Sequence, residues 1–264
     1  MSPVFKSIRK LRDSRVIVFG GTSGIGFAVA AAALERGATV FVTSSKKDNV
    51  DSALATLKSS YPGEEFHCRI AGAAYDLGSP ETLESNLIEL FEAAGRPNAA
   101  KEIQPIDHIV FTAGDLLKLV PLSESMAESI LASGVVRFLA PLLIGKLAPR
   151  YMSVSNRSSI TLTSGSMGRR PEQHWTVLAA YAAANEGMRF GMGIDLAPIR
   201  VNVVAPGAVT TPLLERLPAS EWERWRRQLL TEELGKAEDV ADVYINSMKD
   251  RSATGALIDG RLFS

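Results

Sequence analysis

The sequence has little cysteine, little histidine and no excess of either charge. Its single cysteine, Cys68, excludes an internal disulfide bond. The three histidines, His67, His108 and His174, lack the spacing of a metal site. Lysine plus arginine and aspartate plus glutamate each number 29, so the formal net charge is zero. With no long basic run to follow a nucleic-acid backbone, we expect neither a metal nor a nucleic-acid partner.

Long apolar segments are also missing. Residues 1–13 lack the apolar core of a secretory signal peptide, and no apolar run reaches the roughly 18 residues that a membrane span needs. At 264 residues, the chain is long enough to bury one sizeable core. We therefore expect a soluble, cytoplasmic protein in which residues 1–264 form one domain, with no membrane partner.

Strand-like and helix-like patterns alternate along the chain. The predicted strands are 16–19, 38–43, 65–71, 108–111, 159–163, 200–204 and 256–259. Apolar helical patterns separate most of them, and the polar stretch 95–105 is predicted to be a loop. This alternation predicts an α/β fold, a doubly wound parallel sheet of about seven strands with helices on both faces.

Glycines follow the first predicted strand. Gly20, Gly24 and Gly26 lie between the apolar run 16–19 and an Ala-rich helical pattern. Glycine lets backbone N–H groups approach a pyrophosphate, and a helix N-terminus adds partial positive charge. The pattern predicts a phosphate cradle. Its spacing is looser than G-x-G-x-x-G, and a tight strand-to-helix turn is the alternative.

Several motifs, taken in order, resemble those of the short-chain dehydrogenase/reductase family. They are Gly20-Gly21-Thr22-Ser23-Gly24-Ile25-Gly26, Asp76-Leu77, Ala113-Gly114, Ile160-Thr161-Leu162-Thr163-Ser164, Arg200-Val201-Asn202-Val203-Val204-Ala205-Pro206-Gly207 and Thr211-Pro212-Leu213. The resemblance implies a Rossmann fold with seven strands, a nicotinamide dinucleotide across the C-terminal strand ends, and a homodimer or homotetramer. The cofactor-binding residues it implies are Gly20, Thr22, Ser23, Gly24, Ile25, Gly26, Asp76, Leu77, Ala113, Gly114, Pro206, Gly207, Val209, Thr210 and Thr211.

The turn after the second predicted strand favours NADP(H) over NAD(H). A free ribose 2′-hydroxyl is usually held by a carboxylate here, whereas a 2′-phosphate needs hydroxyl donors or a cation. Ser44, Ser45 and Lys46 supply such donors, and no acidic residue occurs before Asp48. We predict that these three residues bind the 2′-phosphate, with a solvated polar turn as the alternative.

The catalytic set of the family's ketone reductases is incomplete. Those enzymes resemble one another in an Asn, a Ser and a Tyr-x-x-x-Lys. The stretch from Tyr181 to Asn185 has this spacing, but with Asn in place of Lys. Counting back from the Asp195-Leu196-Ala197-Pro198 helix end puts the Tyr position at Leu178 and the Lys position at Ala182. Since no lysine occurs between Lys146 and Lys236, we predict that both proton-handling groups are absent.

Four other residues are candidates for the site. Arg137 stands alone in an apolar helical pattern, and a buried guanidinium needs an acceptor or an aqueous cleft, so it either enters the site or plays a structural role. Ser164 matches the family's Ser, with Ser166 as the competing assignment. Glu172 can offer a carboxylate to a cation and Trp175 a face to a flat ring, unless their loop is merely exposed.

These departures resemble one branch of the family, the reductase-like cyclases of fungal prenylated indole-alkaloid pathways. There an Arg replaces the Asn, the Tyr and Lys are gone, and a Pro-Asp-Pro-Gly-Trp loop supplies a carboxylate. The corresponding loop here is Pro171-Glu172-Gln173-His174-Trp175. The resemblance implies NADP(H) binding and action on an imine or iminium of an indole-alkaloid precursor, with ring closure of Diels–Alder or Pictet–Spengler type. Two alternatives stay open, a conventional carbonyl reductase using Tyr181 and a non-catalytic NADP(H)-binding sensor.

Overall fold

The computed structural model describes residues 8–96, 102–115 and 119–260. Seven strands form one parallel sheet in the order β3-β2-β1-β4-β5-β6-β9, and β7 and β8 form a separate parallel pair. The strands are β1 Arg15–Phe19, β2 Thr39–Ser44, β3 Ile70–Ala74, β4 His108–Phe111, β5 Ser159–Thr163, β6 Arg200–Ala205, β7 Val209–Thr210, β8 Gly235–Lys236 and β9 Leu257–Asp259. The predicted seven-stranded, doubly wound sheet is confirmed. Residues 97–101 of the predicted loop lie outside the described residues.

Helices connect the strands and cover the sheet. They are α1 Gly24–Glu35, α2 Lys47–Ser60, α3 Glu64–His67, α4 Pro80–Gly95, α5 Ala127–Gly134, α6 Ala140–Tyr151, α7 Thr176–Asp195, α8 Ala219–Gln228 and α9 Ala237–Lys249. A π-helical turn, Val135–Leu139, joins α5 to α6. Right-handed crossovers between parallel strands need such helices.

Alternate residues of the central strand enter two separate cores. In β1, Ile17 and Phe19 belong to the cluster beneath α4, α6 and α7, whereas Val16 and Val18 belong to the cluster beneath α1 and α9. Successive side chains of a strand point to opposite faces, so a strand buried on both faces is apolar throughout. This is why the continuous apolar run 16–19 correctly predicted a strand.

The third predicted strand is misplaced. Residues 64–67 form α3, and the strand is β3, which is made mainly of alanine and glycine. A Cβ on Gly72 would lie 2.4 Å from the carbonyl oxygen of Val42, so the close approach of β2 requires a residue without a side chain. Because strand prediction favours bulky β-branched residues, the sequence pattern pointed to the wrong segment.

One long helical segment is apolar enough on average to pass for a membrane span, although Arg137 and Lys146 interrupt its apolar sequence. The helices from Ala127 to Tyr151 are, by length and composition alone, sufficient to cross a membrane. Ile144, Leu147 and Ala148 of this segment pack in the core against the sheet. The segment is therefore accounted for as a core helix of an α/β domain.

Candidate functional site

A cavity of about 680 Å³ opens at the carboxyl ends of the strands. It is lined by the ends of β1, β2, β4 and β5, by the loop that follows β6, and by residues of α7 and α8. Ligands bind at this edge of doubly wound sheets, because the strand order reverses there and leaves a crevice. The cavity is therefore where the predicted site residues should meet.

Glycines shape the floor of the cavity between β1 and α1. Gly20 and Gly24 have φ angles of +75° and +52°, which residues with a side chain rarely adopt. A Cβ on Gly26 would lie 2.3 Å from the carbonyl oxygen of Gly20, so a larger residue cannot fit. The loop and the α1 N-terminus form a backbone-lined cradle that a pyrophosphate would fill.

Nearly all residues predicted to bind the cofactor line this cavity. They are Gly20, Thr22, Ser23, Gly24, Ile25, Gly26, Ser44, Ser45, Lys46, Asp76, Leu77, Ala113, Gly114, Pro206, Gly207, Val209 and Thr211. Thr210 is the exception. In β7, Val209 is buried and Thr210 is exposed, because successive residues of a strand face opposite sides. Thr210 therefore does not line the cavity, and its contact with the cofactor stays a prediction.

The end of β2 supplies polar groups but no carboxylate to the cavity. Ser44, Ser45 and Lys46 line it, together with Asn49 of α2, which the sequence analysis missed. Lys47 points elsewhere and pairs with Asp51. Of the two adjacent lysines, one is therefore placed to meet an anion in the cavity.

Arg137 lies on the π-helical turn and lines the cavity. Its Nη2 donates to the carbonyl oxygen of Asp115, and its guanidinium passes over Gly114. Burial lowers the pKa of this guanidinium, although the Asp115 carboxylate opposes the shift. Arg137 thus combines the structural role and the site role that the sequence left open, since it binds a backbone carbonyl and reaches the cavity. Single π-helical turns are frequent at functional sites.

Ser164 and Ser166 both line the cavity at the end of β5. The Oγ of Ser164 lies 2.9 Å from the carbonyl oxygen of Ala182 and 3.2 Å from Oε1 of Glu186. Both neighbours are acceptors, so the hydroxyl hydrogen of Ser164 already has partners within the protein. In this arrangement Ser164 presents an oxygen lone pair, rather than a free donor, to the cavity.

Glu172 and Trp175 line the cavity and meet α8. Glu172 accepts hydrogen bonds from Nε1 of Trp225 at 2.8 Å and from Nη2 of Arg224. The rings of Trp175 and Trp225 meet edge to face, with centroids 6.3 Å apart. The carboxylate proposed from the sequence is thus held by two donors of the protein itself.

Leu178 and Ala182 of α7 line the cavity, as does Asn185. Tyr181 is not among the described residues that line it. Its hydroxyl donates to the carbonyl oxygen of Ile130 at 2.9 Å, and its ring packs against Gly134 and Phe138.

Several lining residues, above all Trp225, Arg170 and Arg216, were not predicted from the sequence. Trp222 and Trp225 are three residues apart on α8, which places them on one helix face, and this spacing was the available signal. Among the residues that the structure describes, no group of three or more His, Cys, Asp or Glu side chains is placed to hold a metal ion.

Comparison with known proteins agrees with this architecture. A family model described as an SDR-like Rossmann domain matches residues 7–263. The chain is 37% identical to "Short-chain dehydrogenase/reductase malC" of Malbranchea aurantiaca, over 98% of this chain and 97% of that protein. It is 34% identical to "Short-chain dehydrogenase/reductase fsr5" of Gibberella fujikuroi, with the same two coverages of 98% and 97%.

Solved structures show the same likeness. The structure named "MalC Reductase/Diels-Alderase" from Malbranchea aurantiaca superposes with a TM-score of 0.90 at 37% identity, over 97% of this chain and 98% of the other. A short-chain dehydrogenase from Burkholderia cenocepacia, in complex with NADP, gives 0.80 at 26% identity over 96% and 98%. With a matching family model and full-length relatives above 30% identity, the chain belongs to the short-chain dehydrogenase/reductase family.

Proposed function

We propose that this protein binds NADP(H) in the cavity and acts on a cationic imine of an indole-alkaloid precursor, directing a stereoselective ring closure. Backbone N–H groups of the glycine cradle donate to the pyrophosphate, and Ser44, Ser45 and Lys46 donate to the 2′-phosphate. NADP is present in the related Burkholderia cenocepacia structure, which supports this assignment. When bound, the reduced cofactor supplies a hydride.

The observation that carries the proposal is the apolar wall formed by Leu178 and Ala182. By alignment of the helix end, these residues occupy the positions of the family's Tyr and Lys, and both line the cavity. A ketone needs a proton on oxygen as hydride arrives, and this wall has none to give. A protonated C=N accepts hydride at carbon and keeps its own proton, so an iminium suits a site without a Tyr.

The remaining site residues suit a cationic guest with a flat ring. Glu172 places a carboxylate at the cavity wall, where it stabilises positive charge on nitrogen. Trp175, joined by Trp225, offers an aromatic surface to an indole. Arg137 donates to an amide carbonyl, and Ser164, through its lone pair, accepts from an N–H group.

Ring closure then depends on how the cavity folds its guest. Holding the two reacting parts of one molecule together in a near-attack geometry is a large rate term and requires no further acid or base. The name of the Malbranchea aurantiaca relative couples a reductase to a Diels-Alderase, which supports this type of chemistry here. Closure of Diels–Alder type and of Pictet–Spengler type are both part of the proposal, with or without hydride transfer.

The test is turnover of an indole-fused cyclic iminium, a 3,4-dihydro-β-carbolinium, with NADPH. We expect Glu172→Gln and Arg137→Ala each to lower kcat/KM at least tenfold, while Glu128→Gln, an exposed change on α5, leaves it unaltered. With a C1-substituted form of this substrate, product stereochemistry, read on a chiral column, reports the face to which hydride is delivered. Full turnover and stereochemistry in both site variants would contradict the proposed roles.

The two alternatives make different predictions. A conventional carbonyl reductase would oxidise NADPH with a ketone panel and lose this activity in Tyr181→Phe. The hydrogen bond of Tyr181 to Ile130, away from the cavity, argues against it. A non-catalytic sensor would bind NADPH tightly but turn over neither C=N nor C=O substrates.

A homo-oligomer is a further part of the proposal. Phe190 and Ile194 of α7 are 58% and 78% exposed, which is unusual for large apolar side chains on one helix. Light scattering on a size-exclusion column distinguishes a dimer or tetramer from a monomer. A cytoplasmic location and the absence of membrane and nucleic-acid partners stay predictions.

A further inference from the structure

One nitrogen of Arg224 bridges two carboxylates at the wall of the cavity. Its Nη2 donates both to Oε2 of Glu172, in the loop before α7, and to Oε2 of Glu221, one turn earlier on α8. Two carboxylates and one guanidinium leave this triad with one net negative charge. The bonds to Glu172 and Glu221 raise the pKa of Arg224, so the guanidinium stays charged.

The three members of the triad differ in their access to the cavity. Glu172 lines it, whereas Arg224 and Glu221 are not among its described lining residues. Arg224 approaches Glu172 from the solvent side, with 41% of its side chain exposed. A cationic guest in the cavity and Arg224, which is not among the lining residues, can therefore compete for the same carboxylate.

We propose that Arg224 competes with a cationic guest for the carboxylate of Glu172. When a guest binds Glu172, Glu221 holds the displaced guanidinium of Arg224. The exchange needs no large movement, because Arg224 already contacts Glu221 and can keep that bond while it releases Glu172. Trp225 keeps its own bond to Glu172 Oε1 and so holds the carboxylate in position. Arg224 and Glu221 thereby set how strongly the cavity prefers a cation. This inference rests on the proposed role of Glu172.

The proposal predicts opposite effects for two neutralising changes. Arg224→Gln leaves Glu172 uncompensated and should strengthen binding of a cation. Glu221→Gln removes the second carboxylate acceptor, so that Arg224 binds only Glu172, and should weaken binding of a cation. For partly exposed charges a few ångströms apart, we expect each effect to be about three- to tenfold in Kd. Both effects should shrink at high ionic strength.

The experiment is calorimetric titration of the full-length protein with three indoles that differ in charge: protonated tryptamine, neutral 3-ethylindole and anionic indole-3-propionate. We expect tryptamine affinity to rank Arg224→Gln above wild type and wild type above Glu221→Gln. Binding of 3-ethylindole should stay within about twofold throughout. Matched controls lie on the same helix, where Glu223 pairs with both Arg226 and Arg227. Arg227→Gln and Glu223→Gln should leave tryptamine binding unchanged.

Three results would overturn the inference: a tryptamine affinity that moves the same way in both variants, a parallel change for 3-ethylindole, or preferred binding of indole-3-propionate through Arg170 and Arg216. Arg224→Met, which keeps an apolar stem, repeats the test if the Gln variant folds poorly. Glu172→Gln distinguishes a failure of this inference from a failure of the proposed function. If it abolishes the tryptamine preference while the Arg224 and Glu221 variants do not alter it, only this inference fails. If it too has no effect, the role proposed for Glu172 fails, and the iminium turnover assay decides the rest independently.

Discussion

Arg137 lies across Gly114, and the two fit together only because residue 114 has no side chain. A Cβ there would be 2.8 Å from Nη1 of Arg137 and 3.2 Å from its Cζ. The guanidinium is held in this place by the carbonyl oxygen of the next residue, Asp115. A glycine at the end of β4 therefore creates the space for a cation in the cavity.

Gly114→Ala should displace that guanidinium. Because the clash involves the far end of a flexible side chain, we expect a small loss of stability, about 1 kcal/mol or less, but a large loss of iminium turnover. A double-mutant cycle with Arg137→Ala measures the coupling. The two changes should be strongly non-additive in kcat/KM, since both remove the same group from its position. Additive effects would contradict the proposed link.

Lys46→Ala should weaken NADPH binding about tenfold and leave NADH binding nearly unchanged. The reason is that a charge-assisted bond to the 2′-phosphate is available only with NADPH. Fluorescence titration with both nucleotides checks this. Lys47→Ala is the matched control, because Lys47 pairs with Asp51 rather than facing the cavity. Equal losses for NADPH and NADH would argue against 2′-phosphate recognition.

Trp225→Phe should lower kcat/KM for the iminium about ten- to a hundredfold, the range for losing one hydrogen bond to a charged group. The change keeps an aromatic ring but removes the Nε1 donor that holds Glu172. Trp222→Phe is the control, because its Nε1 donates to the carbonyl oxygen of Leu214 instead. If both variants lose activity equally, packing of α8 rather than the bond to Glu172 is responsible.

His174→Gly should stabilise the protein by about 0.5–1 kcal/mol. His174 has a φ of +70°, a left-handed conformation that costs a residue with a side chain roughly 1–2 kcal/mol. Glycine removes this cost but loses more backbone entropy on folding, which offsets part of the gain. Urea unfolding measures the difference. His174→Ala, which keeps a Cβ, should give no such gain, and a gain as large as that of glycine would exclude backbone strain as the cause.

Acid should destabilise the fold through His108. Burial, reinforced by the guanidinium groups of Arg200 and Arg251, lowers the pKa of His108 to about 3. The unfolded chain, with an ordinary histidine pKa near 6.5, binds this proton first, so stability falls as the pH drops from about 6.5 towards 3. From pH 7 to pH 5 the loss from this group is about 2 kcal/mol.

Urea unfolding at both pH values checks the effect of His108. His108→Gln should flatten this part of the pH dependence, because the variant has no group that titrates at this position. It should also be less stable at pH 7, because the change disturbs the 2.9 Å hydrogen bond between His108 and Ser159. An unchanged pH dependence in the His108 variant would contradict this source of acid sensitivity.

Local patterns predicted those parts of the molecule that depend on a few neighbouring residues. The glycine cradle is one example, because φ angles above zero and close backbone approach are properties of the residue itself. Prediction failed where a distant contact decided the outcome. Residue 72 of β3 is a glycine because a Cβ there would lie 2.4 Å from the carbonyl oxygen of Val42 in β2, a contact that the local sequence does not reveal.

By itself, the sequence determined the order of strands and helices, the place of the phosphate cradle and the lack of any lysine between Lys146 and Lys236. Tertiary structure decided which groups the cavity contains. It turned Tyr181 towards Ile130, and it brought Trp225 and Arg224 onto Glu172 across more than 50 residues of chain. The physical reason is range: backbone preference and hydrophobic periodicity act over a few residues, whereas the partners of a carboxylate are set by how helices pack on the finished sheet.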